Sequence, residues 1–376
     1  MAPIDYSKLA RHAILNQQEY HPNMPPSAIM RERGIFDFID LATNESPYGI
    51  SPKAKVAIEQ GLTELHRYPE SGCYDLRRIL ASKYNLTPEH FLVDNGLDAV
   101  SNVIGLTFLE SEDEIVIPAI TFAAYENTAR KMGAAILRAP LTSDYRIDVD
   151  GLLNLVTPHT KAVFICNPNN PTGTIIHADE YAKVLANLPE TTLLVIDESF
   201  IDFVEDHSYP DTLATLADHP NLIIMRGFSK SLALAGLRVG YAIAAPEIIA
   251  LMNRAREPFP VNRLAQVAAA AALEDAEFLG HTLEWNRESR ARMTEGLTQL
   301  GFEVIPSQTN FLFVNLQQPA EPLWNFLFEH GVVIRKFDDR VLRNYTRICL
   351  GLPPALQRCL NVLAEILGKP APKVFE

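Results

Sequence analysis

Five short apolar runs, at 114–117, 162–166, 193–196, 222–225 and 239–242, are separated by amphipathic stretches of helical length. Runs this short, bounded by turn-forming residues, suit strands buried on both faces, and strands that alternate with helices build crossover units on a mostly parallel sheet. After about residue 262 the pattern changes. An alanine-rich helical stretch and a long charged one at 274–300 precede strand-like runs at 311–314, 332–334 and 346–349 among further helices. That predicts a second, smaller α+β unit. With 376 residues, 47% of them apolar, the chain is long enough for both, and its 26 prolines are scattered as turn punctuation rather than gathered into a linker.

The residues that follow three of the runs carry the chemistry, because ligands of open α/β sheets lie outside the carboxyl ends of the strands. Asn167-Pro168-Asn169-Asn170-Pro171-Thr172-Gly173 follows the second run, where Pro and Gly force a turn. Asp197-Glu198-Ser199-Phe200 follows the third. Arg226-Gly227-Phe228-Ser229-Lys230 follows the fourth, with Arg238 eight residues after the lysine. Singly, these read as a strand-to-helix loop, a helix cap and a solvated lysine. Together they offer an imine-forming amine, a hydroxyl and a guanidinium for a phosphate, and an acid, a combination that suits pyridoxal 5'-phosphate (PLP).

Asn170, Asp197, Ser229-Lys230 and Arg238 stand in the order and rough spacing of fold-type I PLP enzymes. The segments Tyr20-His21-Pro22, Asn44-Glu45-Ser46-Pro47-Tyr48-Gly49, His66-Arg67-Tyr68-Pro69, Leu234-Ala235-Gly236-Leu237-Arg238-Val239-Gly240-Tyr241 and Arg256-Glu257-Pro258-Phe259-Pro260-Val261-Asn262 narrow this further. Over nearly its whole length the chain resembles the histidinol-phosphate aminotransferases, a subgroup whose near relatives include aromatic aminotransferases and threonine-phosphate decarboxylases. The resemblance implies the α/β fold of PLP-dependent transferases of fold type I. It divides the chain into an N-terminal arm at 1–41 packed with the small domain, a large PLP-binding domain at 42–262 and a small C-terminal domain at 263–376.

Lysine can hold the PLP aldehyde as a reversible imine and later move the substrate Cα proton, and Lys230 is assigned both tasks. Asp197 would keep the pyridine nitrogen protonated, making the ring an electron sink. Asn170 would donate its amide to the phenolic oxygen, and Phe122 resembles the aromatic that stacks on the ring. The turn Asp94-Asn95-Gly96-Leu97-Asp98 offers a helix N-terminus for the phosphate, with the backbone N–H groups of Leu97 and Asp98 joined by Ser229 and Arg238. By resemblance, Tyr68 reaches the phosphate from a neighbouring subunit, implying a homodimer with shared active sites. Arg347 matches the arginine that faces an α-carboxylate, for which bidentate geometry suits it. Arg335 matches one near the substrate's distal end, while Tyr20 covers the site and Asn44 lines it.

The formal charge of −13, with no local run of basic residues, argues against a nucleic-acid partner. Cys73, Cys166, Cys349 and Cys359 and the ten histidines show no metal-ligand spacing, so no metal is expected and the thiols read as reduced. Residues 1–10 are too polar for a signal peptide and no apolar stretch is long enough for a membrane span, so a cytoplasmic location is expected. Three positions depart from the family. Phe200 stands where a tyrosine usually donates to the phenolic oxygen, Gly227 where a threonine usually helps hold the phosphate, and Leu97-Asp98-Ala99 where a small residue-Asp-Glu is usual. Loss of the tyrosine hydroxyl predicts a raised imine pKa in the cofactor-bound protein. A visible-absorbance titration in which Phe200→Tyr lowers that pKa is the expected result, and superimposable titrations would remove the expectation. These departures keep three alternatives beside a transaminase working by two half-reactions: a decarboxylase, an oxidase and a non-catalytic sensor domain.

Overall fold

The computed structural model describes residues 4–15, 17, 31, 32, 34, 36–337 and 339–375. The expected apolar runs become strands of one seven-stranded sheet, in the order β2-β8-β7-β6-β5-β3-β4. These are β2 (Phe91–Asp94), β3 (Glu114–Pro118), β4 (Ala135–Ala139), β5 (Thr160–Cys166), β6 (Leu193–Asp197), β7 (Leu222–Gly227) and β8 (Gly240–Ala244). Successive side chains on a strand point to opposite faces. Val163, Ile165, Leu194, Ile196, Leu222 and Ile224 accordingly enter one core, whereas Ala162, Phe164, Leu193, Val195, Ile223 and Met225 enter the other. Burial on both faces is why these runs read as continuously apolar.

The sheet is parallel from β4 to β7, but β8 runs antiparallel to both β7 and β2. This departs from simple parallel alternation and has a consequence for the site. Asp94 of β2 and Gly227 of β7 both pair with Gly240, the first residue of β8. The end of β2, and the helix Leu97–Phe108 that follows it, are thereby brought to the carboxyl edge of the sheet.

The second sheet has the order β1-β11-β12-β10-β9, from β1 (Ile39–Leu41), β9 (Glu303–Ile305), β10 (Phe311–Asn315), β11 (Val332–Lys336) and β12 (Tyr345–Cys349). Its core includes Met293 and Leu297 from the helix Ala276–Gln299, and Leu356, Leu360 and Leu363 from the helix Pro353–Leu367. Phe200 and Phe203, from the loop after β6, enter this same core and pin the smaller unit beside the site. The arm divides its contacts. Strand β1 extends the small sheet through β11, while the helical turn His12–Leu15 packs on the helix Ala124–Met132 of the large unit. The alanine-rich helix Arg263–Leu273 also sends Ala265, Ala268, Ala269 and Ala272 into the large unit's core.

Beneath the strand ends lies a buried ion pair. Arg226 Nε donates to Glu198 Oε2 at 2.8 Å, and Glu198 Oε1 accepts from Thr212 at 2.8 Å and Tyr209 at 3.1 Å. Arg226→Met leaves the Glu198 charge without its counter-ion, and loss of one partner of a buried pair costs about 3–5 kcal/mol. Urea unfolding is expected to show that loss, whereas an unchanged midpoint would mean the pair is dispensable.

Candidate active site

Register sets the site. Cys166 pairs with Asp197, and Asp197 with Met225, so the ends of β5, β6 and β7 lie abreast, with Asp197 at the end of β6 and Asn170 and Lys230 in the segments that follow β5 and β7. A cleft of about 290 Å³ opens there, lined by Leu97, Asp98, Phe122, Ser229, Lys230 and Arg238, with Thr43, Glu45 and Ser199 beside them. Among the residues singled out from the sequence, the structure brings these six to one cavity.

At one end of the cleft the helix Leu97–Phe108 begins without a side-chain cap, behind Gly96 at φ 79°. The positive φ favours glycine there, and a Cβ at Gly96 would lie 2.6 Å from Arg238 Nη2, so a larger residue would displace the guanidinium from this helix N-terminus. Uncapped N–H groups, a guanidinium and the Ser229 hydroxyl form a donor set suited to a phosphate. The residues present therefore fit PLP. Two of the departures are linked: the Leu97 side chain lies over Gly227, where an added Cβ would meet it at 3.6 Å, and over Gly240, where one would meet it at 2.8 Å. A large residue at 97 occupies space that glycine leaves free.

Lys230 stands at the other end. Its amine donates to the Asn44 backbone carbonyl at 3.3 Å and lies 5.8 Å from the centre of the Phe200 ring. Burial, reinforced by the Arg347 charge, lowers its pKa to about 8. A lowered value means more free amine near neutrality, so the reaction of cofactor-free protein with PLP is expected to accelerate with pH around a midpoint near 8. A midpoint near the ordinary lysine value of 10.5 would contradict this. Linkage has the same sign: between about 8 and 10.5 the unfolded chain holds a proton that the folded one has released, so stability of the cofactor-free protein rises with pH across that window.

Asp197 is buried, 2% exposed, and accepts three hydrogen bonds. Tyr125 Oη donates to Oδ2 at 2.6 Å, the Ser199 backbone N–H donates to Oδ1 at 2.9 Å, and the Ser199 hydroxyl donates to the same Oδ1. Burial pushes its carboxyl above the usual range, opposed by these donors. Arg347 Nη1 donates to Asn170 Oδ1 at 2.6 Å, and Nη2 to the Ala42 carbonyl at 2.6 Å. Guanidinium has only donors, so the contact fixes the Asn170 oxygen toward Arg347 and leaves the amide N–H₂ pointing elsewhere.

The remaining expected residues are placed differently. Arg335 is the direct cross-strand partner of Arg347 on β11 and β12. The Asn44 side chain is turned away, accepting from the Cys349 thiol at 2.8 Å, so its backbone rather than its amide faces Lys230. Tyr68 is 79% exposed and stacks on Phe259 at 4.9 Å. Tyr20 lies outside the described residues. Two residues were missed by the sequence reading. Tyr125 follows Phe122 by three positions, a spacing that puts both on one side of a helical turn, and the Asp-x-Ser pattern at 197–199 is a signal for an Asp side chain that bonds the backbone two residues on.

Two sheets of this topology, with a lysine, an acid and a phosphate cradle at the strand ends, define a PLP-binding transferase fold. The family model for aminotransferases of class I and II matches residues 37–363, and the chain belongs to that family. A histidinol-phosphate aminotransferase of Moorella thermoacetica is 38% identical over 97% of this chain and 95% of its own. The crystal structure of the histidinol-phosphate aminotransferase of Sinorhizobium meliloti in complex with PLP superposes with a TM-score of 0.90 at 27% identity, covering 98% of this chain and 99% of that one. The structure of an L-threonine-O-3-phosphate decarboxylase of Porphyromonas gingivalis superposes at 0.76 and 26% identity, covering 88% and 100%. The protein is a PLP-dependent aminotransferase acting on amino-acid and 2-oxo-acid substrates. Decarboxylation, oxidation and a sensor role are not favoured. Among the described residues no helix is long and apolar enough to cross a membrane.

Proposed function

We propose that this aminotransferase takes its amino group from histidinol phosphate or a kindred anionic amine and passes it to a 2-oxo acid. The observation that carries the reading is the pairing of Arg335 with Arg347. Residues directly opposite on antiparallel strands share a face, so both arginines lie on one face of the small sheet. That face is turned toward Asn170, as the Arg347 contact requires. Two arginines on one face of the small sheet, one of them in contact with Asn170, suit a substrate with an anionic group beyond the reacting carbon. Relatives that cover nearly the whole chain carry the histidinol-phosphate name.

Each side chain has a task in this reading. PLP supplies the electron sink for the negative charge left at the substrate Cα. The N–H groups of Leu97 and Asp98 after Gly96, the Ser229 hydroxyl and Arg238 would hold the cofactor phosphate. Phe122 would stack on the ring, Asp197 would keep the ring nitrogen protonated and Asn170 would donate to the phenolic oxygen. Lys230 would hold the aldehyde carbon and move the Cα proton. Arg347 orients the substrate's polar group at Cα and Arg335 its distal anion, with Asn44 fixing Lys230 and Tyr20 on the covering arm. The exposed Tyr68 fits a residue offered to the phosphate of a second copy, in a cytoplasmic homodimer built from the arm at 1–41, the large domain at 42–262 and the small domain at 263–376.

The test mixes the PLP-loaded protein with 2-oxoglutarate and, singly, histidinol phosphate, phosphothreonine, arginine or an aromatic amino acid, while oxygen and carbon dioxide are followed. Glutamate formation fastest with histidinol phosphate, with neither gas changing, is the expected result. Glutamate formed only with an uncharged aromatic donor would overturn the anionic-substrate reading.

A further inference from the structure

We propose that Tyr125 is a positioning residue of the reaction, which together with Ser199 holds the Asp197 carboxylate ionised and leaves it one acceptor site for the cofactor's ring nitrogen. The inference rests on the assignment of Asp197 proposed above and extends it to two side chains behind it.

A carboxylate offers about four acceptor sites on its two oxygens. Three on Asp197 are taken by protein donors: the Tyr125 hydroxyl on Oδ2 at 2.6 Å, and the backbone N–H and hydroxyl of Ser199 on Oδ1. One remains, which matches a single N–H donor. The donors also decide the ionisation state. Asp197 is 2% exposed, and a carboxyl that deep favours its neutral acid unless its charged form is hydrogen-bonded. A neutral acid would itself donate its proton, and the ring nitrogen opposite it would stay unprotonated. The donated hydrogen bonds therefore keep the proton on the ring side of the pair.

Tyr125 is built for a fixed donor. It is 1% exposed, its ring stacks on Phe164 at 5.1 Å and meets Phe122 edge-on at 5.9 Å, so the hydroxyl has one direction to point. Burial and the Asp197 charge push its phenol well above the ordinary range, so it keeps the proton it donates. The titratable groups facing Asp197 from neighbouring elements are the buried Cys166 thiol, itself pushed up by burial and the Asp197 charge, and the Asp98 carboxylate, whose charge opposes that of Asp197. Neither supplies a positive charge, and the hydrogen-bond donors to Asp197 are the two hydroxyls and one backbone N–H.

Tyr125→Phe keeps the stacked ring and removes only the donor. The test loads the wild type, Tyr125→Phe, Ser199→Ala and Asp197→Asn with PLP labelled with ¹⁵N at the ring and reads the ring-nitrogen shift by NMR, with single-turnover kinetics alongside. The expected result is a shift toward the unprotonated value in Tyr125→Phe, a smaller one in Ser199→Ala and the largest in Asp197→Asn. With it should come about a 10- to 100-fold slower single turnover in Tyr125→Phe at little changed KM, the scale of a lost hydrogen bond to a charged group. A wild-type signal in both Tyr125→Phe and Ser199→Ala, with Asp197→Asn shifted, would overturn this inference alone. A wild-type signal in Asp197→Asn would overturn the assignment of Asp197 and this inference with it. Ser199→Ala, at the cleft surface, carries the test if Tyr125→Phe does not fold.

Discussion

Lys230→Ala is expected to lower kcat for amino transfer by at least about 10³-fold, within the range ascribed to a positioned proton-transfer group and with loss of covalent attachment added to it. The amine is held by the Asn44 carbonyl at 3.3 Å, and burial with the Arg347 charge brings its pKa to about 8. A base with that value is largely protonated at neutrality but releases its proton readily, the compromise a group must strike to move a proton in both directions. Alanine leaves Gly96, Ser229 and Arg238 in place, so the cofactor should still bind through its phosphate. Steady-state kinetics beside a PLP-binding titration separates the two effects. Less than a tenfold loss of kcat with binding intact would remove Lys230 from the proton-transfer step.

Asp197→Asn is the second large effect, expected to reduce kcat by about 10²- to 10³-fold, the scale of losing one preorganised electrostatic contact at the reacting group. Asparagine has nearly the same shape, keeps one oxygen to accept from Ser199 and puts an amide N–H₂ where Oδ2 stood, which can donate to the Tyr125 oxygen instead of accepting from it, so packing on Phe164 and the fold should survive. What disappears is the negative charge that would face the ring nitrogen, since the neighbouring buried acid, Glu198, is already paired with Arg226. Thermal unfolding close to wild type together with the fall in kcat is the expected pattern. Equal kcat for Asp197→Asn would mean that ring protonation does not limit the reaction.

How much of this was legible beforehand follows from the physics of each element. The strands β5, β6 and β7 were readable because burial on both faces demands continuous apolar runs, and the polar residues that break those runs are the ones that meet at the sheet edge. The antiparallel course of β8 was not, because direction is set by the path of the connection and leaves no mark on a five-residue run. Strands β1 and β9 have three residues each, too few to show a period. The helix Arg263–Leu273 was seen as a helix, but its small alanines gave no sign that they would pack on the helix Pro52–Gly61, where a Cβ on Gly61 would lie 3.1 Å from Leu264.

The site shows the same division. Asp197 and Lys230 were found because each follows an apolar run that has just ended, and Arg238 because it stands eight residues after the lysine. Tyr125 was given no role; its stacking on Phe164 is that of a core residue, and its second role depends on a hydroxyl direction that only the folded chain supplies. Asn44 was expected to line the pocket, and with its backbone in the left-handed region at φ 55° it is the carbonyl that accepts from Lys230.

The most direct test of the central claim, that PLP is held on Lys230 in this cleft, is borohydride reduction of the PLP-loaded protein followed by peptide mass mapping. Reduction fixes the imine as a stable secondary amine, and the expected result is the cofactor mass on the peptide carrying Ser229-Lys230, lost in Lys230→Ala. The cofactor mass on a different lysine, undiminished in that variant, would contradict the account.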